Sequence, residues 1–134
     1  MSERILRIVL LIAGLTQVAQ GIWMIVSPGS FYDAIAGFGA QNDHYIRDVA
    51  TFQLAAGAVL LAAVRHLSWR VPALSLATLW YAAHAVNHLV DIGESDPDWV
   101  GPFDFGALLV GAALFGLLAY GVATGRIGER EPDR

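Results

Sequence analysis

Apolar residues gather into four long stretches along this chain, over 5–27, about 43–65, 71–91 and 105–124, with polar residues concentrated between them. Each stretch approaches the roughly 20 residues that a helix needs to cross a hydrocarbon core. Runs of this length satisfy their own backbone hydrogen bonds in lipid as helices. The pattern therefore predicts an all-α fold, an antiparallel bundle of four transmembrane helices forming one integral membrane domain over 1–134. The first stretch has no small-residue cleavage site at its end and runs longer than a signal peptide's apolar region, so it counts as a span.

The punctuation agrees with a bundle. Asn42 is placed to cap the second helix, and Pro72 suits the first turn of the third, where its missing N–H costs nothing. Between the first two spans, Ser30-Phe31-Tyr32-Asp33 resembles a capping box that opens a short interfacial helix, with Phe31, Ile35 and Phe38 turned to its apolar side. Gly37 and Gly39 end it. The 93–103 loop holds Pro97, Trp99 and Pro102, and Trp99 reads as an interface anchor. Gly106, Gly111, Gly116 and Gly121 recur among alanines in the fourth span, where small residues allow close helix packing, against neighbours or a second copy. Residues 128–134 form a polar tail.

Composition removes the soluble alternative. The chain is 56% hydrophobic and 15% charged, with a mean hydropathy of +0.54, too apolar for an ordinary soluble domain of 134 residues. Cysteine is absent, which excludes disulfide exchange, thiolate metal sites and cysteine-ligated clusters. All eight basic residues are Arg, and seven lie at Arg4, Arg7, Arg65, Arg70, Arg126, Arg130 and Arg134. These fall in both tails and in the loop between spans two and three. The other two loops are acidic. The positive-inside rule then puts both termini in the cytoplasm of a multi-pass protein of a bacterial inner membrane. Its partners are the lipid bilayer and other membrane subunits or a second copy through the Gly-rich fourth span, with no nucleic acid expected.

Against this apolar background one polar stripe stands out. His84, Asn87, His88 and Asp91 share a face near the outer end of the third span. Ionisable groups at membrane depth are tolerated when they face a protein interior, a cavity or a ligand. His44, Arg47, Asp48 and Thr51 share a face of the second span on the same membrane side, and Asp104 opens the fourth. His at i and i+4 can clamp a metal ion, so the expected ligands are His44, His84, His88 and Asp91. Arg47, Asp48 and Asn87 would orient them. Zinc, copper, iron and manganese all fit such nitrogen and oxygen donors.

Two other cofactors could use the same end of the bundle. A quinone headgroup would find a His donor, a carboxylate and aromatic walls at Phe52, Trp80 or Tyr81. Haem would need one His from each of the second and third spans, because two His four apart on one helix cannot both bind one iron axially. A non-enzymatic alternative also stands: an accessory subunit in which Arg47 and Asp48 pair with Asp91 and His88 and clasp two helices together. Gln17 and Gln20, on one face of the first span, are expected to hydrogen-bond between helices.

The order of helices, the Asn42-Asp43-His44 and Arg47-Asp48 entry to the second span, and His84-x-x-Asn87-His88-x-x-Asp91 on the third resemble the DoxX-like superfamily. Within it the chain is similar to a branch of small four-helix bacterial integral membrane proteins. The resemblance covers roughly 5–125. It implies a four-helix membrane bundle and, from better-known relatives, sulfur or thiol oxidation and quinone-linked electron transfer. Without cysteine, this chain has no thiol of its own for such chemistry.

Overall fold

Helix starts are set by local capping chemistry. Ser2, in extended backbone, accepts a hydrogen bond from the Ile5 amide and opens α1 (Glu3–Val26). Asn42 Oδ1 accepts from the amides of His44 and Tyr45 and opens α3 (Asp43–Arg65). Between them lies α2 (Pro28–Ala34), which begins with Pro in its first turn. A 3-10 turn at Leu67–Trp69 leads into α4 (Arg70–Val90), and α5 (Val100–Ala123) closes the order. The computed structural model describes residues 1–35 and 37–127, and the polar tail expected over 128–134 lies outside them. No strand forms among the described residues; a single bridge pairs Phe38 with Ser95.

Three helices, α1, α3 and α5, are long and apolar enough to cross a membrane. The fourth long helix, α4, has 21 residues, and Arg70, His84, Asn87 and His88 lower its apolarity. Outward faces stay apolar. Ile12, Leu79, Val110 and Leu117 are all more than half exposed, as lipid-facing side chains would be and water-facing ones seldom are.

The helices form two antiparallel pairs, α1 along α3 and α4 along α5, while α3 and α4 meet over a shorter stretch. Glycine sets the first pair. A Cβ on Gly14 would lie 2.8 Å from Leu61, one on Gly21 2.8 Å from Leu54, and one on Gly57 2.9 Å from the Gly14 carbonyl oxygen. Backbones this close leave no room for a methyl group, the usual route to tight packing in lipid. In the second pair Gly111 receives the Tyr81 ring and Gly116 faces Thr78. Gly121 is covered by Ile127 of the same chain, and Gly106 faces open space. The four-glycine ladder expected on this helix is thus only half used against a neighbour.

Both pairs contribute to one apolar core, built around Leu6, Leu10, Leu60, Leu74, Phe115 and Leu118. It occupies the half of the bundle nearer the N-terminus. At that end Arg70, 3% exposed, donates to both Glu3 carboxylate oxygens at 2.7 and 2.5 Å and to the Ala63 carbonyl at 3.4 Å. Arg7 also reaches Glu3, at 2.7 Å. A charged group is held inside because each of its three guanidinium nitrogens has an acceptor, two of them on a carboxylate.

Two boundaries differ from those the sequence suggests. The short helix begins at Pro28 rather than Ser30. Its Phe31 is buried beside Met24 and Ala50, but Ile35 is exposed. Proline at N1 captures the helix start, and the Ser30 hydroxyl is instead engaged with the Trp23 indole and the Ser27 carbonyl. The last helix begins at Val100, five residues before 105, because Pro102 sits in its first turn and not in the loop.

Candidate polar and aromatic site at the end of α4

The inner face of α4 carries its chemistry in order. Arg70, Leu74, Ala77, Tyr81, His84 and His88 recur at helical spacing and point into the bundle, each buried or partly buried. His84 and His88 meet. Their Nε2 atoms are 3.0 Å apart, so one ring donates to the other, and the ring centroids are 4.8 Å apart. The other nitrogen of His88, Nδ1, is buried and has no partner among the described residues. Whichever tautomer His88 takes, that atom is an unmet donor or an unmet acceptor.

Aromatic rings enclose the pair on both sides. Phe38 sets its edge against His88, with centroids 4.6 Å apart. Trp80 lies 5.1 Å from His84, and Phe52 of α3 packs on Trp80 at 4.2 Å. Five rings thus run without a break from the loops at this end of the bundle to the α3–α4 contact. Phe38 is held there by the two loops. Asp96 N donates to the Gly37 carbonyl, and Ser95 Oγ accepts from Gly101 N at 2.9 Å, tying the loop to the start of α5. Beyond Phe38 an open cleft of about 330 Å³ is lined by Phe38, Gly39, Asp91 and Glu94. Asp104 lies in the first turns of α5.

The remaining residues expected at this site are placed elsewhere. His44 is largely exposed and faces Asp48 on its own helix at 3.5 Å. Arg47 pairs with Asp43 at 3.8 Å, one turn back. Both contacts are local, so the clasp from Arg47 and Asp48 to Asp91 and His88 does not form. Asn87 is exposed, and Asp91 caps α4 at the rim of the cleft. Among the described residues no three His, Asp or Glu side chains are grouped so as to hold a metal ion. The structure brings His84 and His88 together, and it does not bring His44 or Asp91 to them in a ligand set.

Some contributors were hard to see in the sequence. Phe38 belongs to a Gly37-Phe38-Gly39 segment, and the flanking glycines are the only local hint that a ring is being presented. Gly14 and Gly21, seven apart, and Gly57 opposite them carry the close backbone approach of α1 and α3. No protein-family model, curated protein or solved structure matches this chain.

Proposed function

We propose that this is a four-span protein of a bacterial inner membrane with both termini cytoplasmic, whose His84–His88 pair binds the polar headgroup of a lipid-soluble quinone at the extracytoplasmic end. The reading rests on one observation above all: the buried Nδ1 of His88 has no partner among the described residues, inside an otherwise aromatic enclosure. A buried polar atom costs about 1–3 kcal/mol when left unmet, and a ligand carbonyl or hydroxyl there would meet it. Phe38, Trp80 and Phe52 supply flat apolar walls for a ring. A neutral imidazole offers one donor and one acceptor nitrogen, so the pair can hold a carbonyl or hydroxyl of a bound headgroup. The electrons for any reduction would come from a separate donor. The four-span topology draws its support from the Arg distribution and from the pairing of α4 with α5. The likeness to DoxX-like proteins points the same way.

Extraction of the purified protein with organic solvent, followed by mass spectrometry, tests this. Wild type retains quinone, and His88→Phe does not. Equal amounts in both would sink the assignment.

A second reading has an observation of its own. Two nitrogens 3.0 Å apart are spaced for a metal ion that lies about 2.0–2.1 Å from each, at an angle of roughly 95°. Such an ion would take its remaining ligands from outside the His pair. Metal-bound His nearly always donates its second nitrogen to a partner, and His88 Nδ1 has none, which favours the quinone. Elemental analysis of wild type beside His84→Ala and His88→Ala separates the two. A stoichiometric metal lost in both variants would replace the quinone reading.

A further inference from the structure

Halfway along the bundle lies a second polar layer, independent of the His pair. Gln17 of α1 donates through Nε2 to the Tyr81 hydroxyl oxygen of α4 at 3.3 Å. One turn along α1, Gln20 accepts from Gln53 Nε2 of α3 at 3.5 Å. Gln17 and Gln53 are 3% and 8% exposed, and the Oε1 atom of each is buried without a partner among the described residues. Tyr81 accepts from Gln17 but donates its own O–H to nothing among the described residues. The layer therefore holds two unspent acceptors and one unspent donor.

That inventory matches one molecule. Water donates twice and accepts once or more, and buried waters usually make about three hydrogen bonds to otherwise unmet groups. We propose that a water molecule is bound between Gln17, Gln53 and Tyr81, accepting from the Tyr81 hydroxyl and donating to the two amide oxygens. A hydroxyl ligand would donate only once and leave one acceptor unmet. A cation would have no carboxylate in this layer, and an uncompensated charge at membrane depth is costly. Turning an amide over does not remove the need, because it exchanges an orphaned oxygen for an orphaned N–H. Water serves either arrangement.

Tyr81, His84 and His88 lie on one side of α4, so the water would form the inner end of a polar path that begins at His88. Beyond it, toward the N-terminal end, Leu10, Leu74 and Ala77 close the interior. The path would enter from one side of the bundle only.

X-ray hydroxyl-radical footprinting of the full chain in lipid nanodiscs tests the site, because radicals made from a bound water modify the side chains beside it. Tyr81 is expected to be modified at a rate comparable to the exposed Tyr45, and to fall to the level of the buried Phe115 in a Gln17→Leu/Gln53→Leu variant that keeps its helical circular dichroism. A wild-type Tyr81 no more reactive than Phe115 would overturn the proposal. So would a rate unchanged in the double variant. Should that variant not fold, Gln53→Met, closer in shape, is read the same way.

Discussion

The two ends of α4's inner face bury polar groups in opposite ways. At one end Arg70 is almost fully enclosed, and Glu3 and the Ala63 carbonyl take its hydrogen bonds. At the other, His88 is joined to His84 through one nitrogen and leaves the second unmet among the described residues. Both groups are costly to bury, and both lie on the same helix. The difference is satisfaction: a closed network explains itself as architecture, whereas an open one asks for something from outside the chain. Arg70 therefore reads as a structural clasp, and the open His pair is where the proposed ligand would bind.

Breaking the clasp should have the largest effect. Glu3→Leu leaves the buried Arg70 guanidinium without its counter-charge, and removing one partner of such a pair costs about 3–5 kcal/mol. Thermal unfolding in nanodiscs should show it as a large drop in Tm. Little change would mean that Arg70 finds water or lipid headgroups, and the contrast between the two ends would lose its structural half.

The helix pair that carries Glu3 gives the next test. Gly57→Ala forces a methyl group against the Gly14 carbonyl and Val18, an overpacking that costs about 1–3 kcal/mol. Gly106→Ala meets nothing within 4 Å and should be neutral, or better by up to about 1 kcal/mol through helix propensity. Equal losses at both positions would indicate that the open face at Gly106 is covered by another chain. Ser95→Ala removes the acceptor for Gly101 N and should cost about 1 kcal/mol while loosening the loop that carries Phe38.

A comparably small stability effect belongs to the site itself. Replacing both partners of a hydrogen bond by apolar groups of similar shape is nearly neutral, so His84→Leu/His88→Leu should unfold within about 1 kcal/mol of wild type. It should also bind no quinone. A large loss of stability in this variant would turn the pair into a second clasp.

What the sequence discloses depends on how local the determinant is. Helix α3 is legible to the residue, Asp43 to Arg65, because Asn42 caps one end and the apolar run stops at the other. The His84–His88 contact is equally legible, since i and i+4 on a helix must be neighbours. His44 shows the limit. Sharing a membrane side with His88 does not fix how α3 is rotated about its axis, and the rotation turns His44 outward onto Asp48. Arg70 shows it again: its pairing with Glu3 across 67 positions depends on how the bundle brings the ends of α1 and α4 within reach, which no local pattern encodes. Phe38 reaches His88 only because two loops pair with each other, a contact without any periodicity to reveal it.

Nitrogen NMR of imidazole-labelled protein addresses the open end of α4 most directly, because the Nδ1 shift of His88 reports whether that atom is protonated and bonded. Titrating a short-chain quinone into wild type should move the His88 Nδ1 resonance saturably, while the exposed His44 stays fixed. A His88 Nδ1 signal unmoved at saturating quinone, with no resident ligand extracted from the sample, would contradict the account.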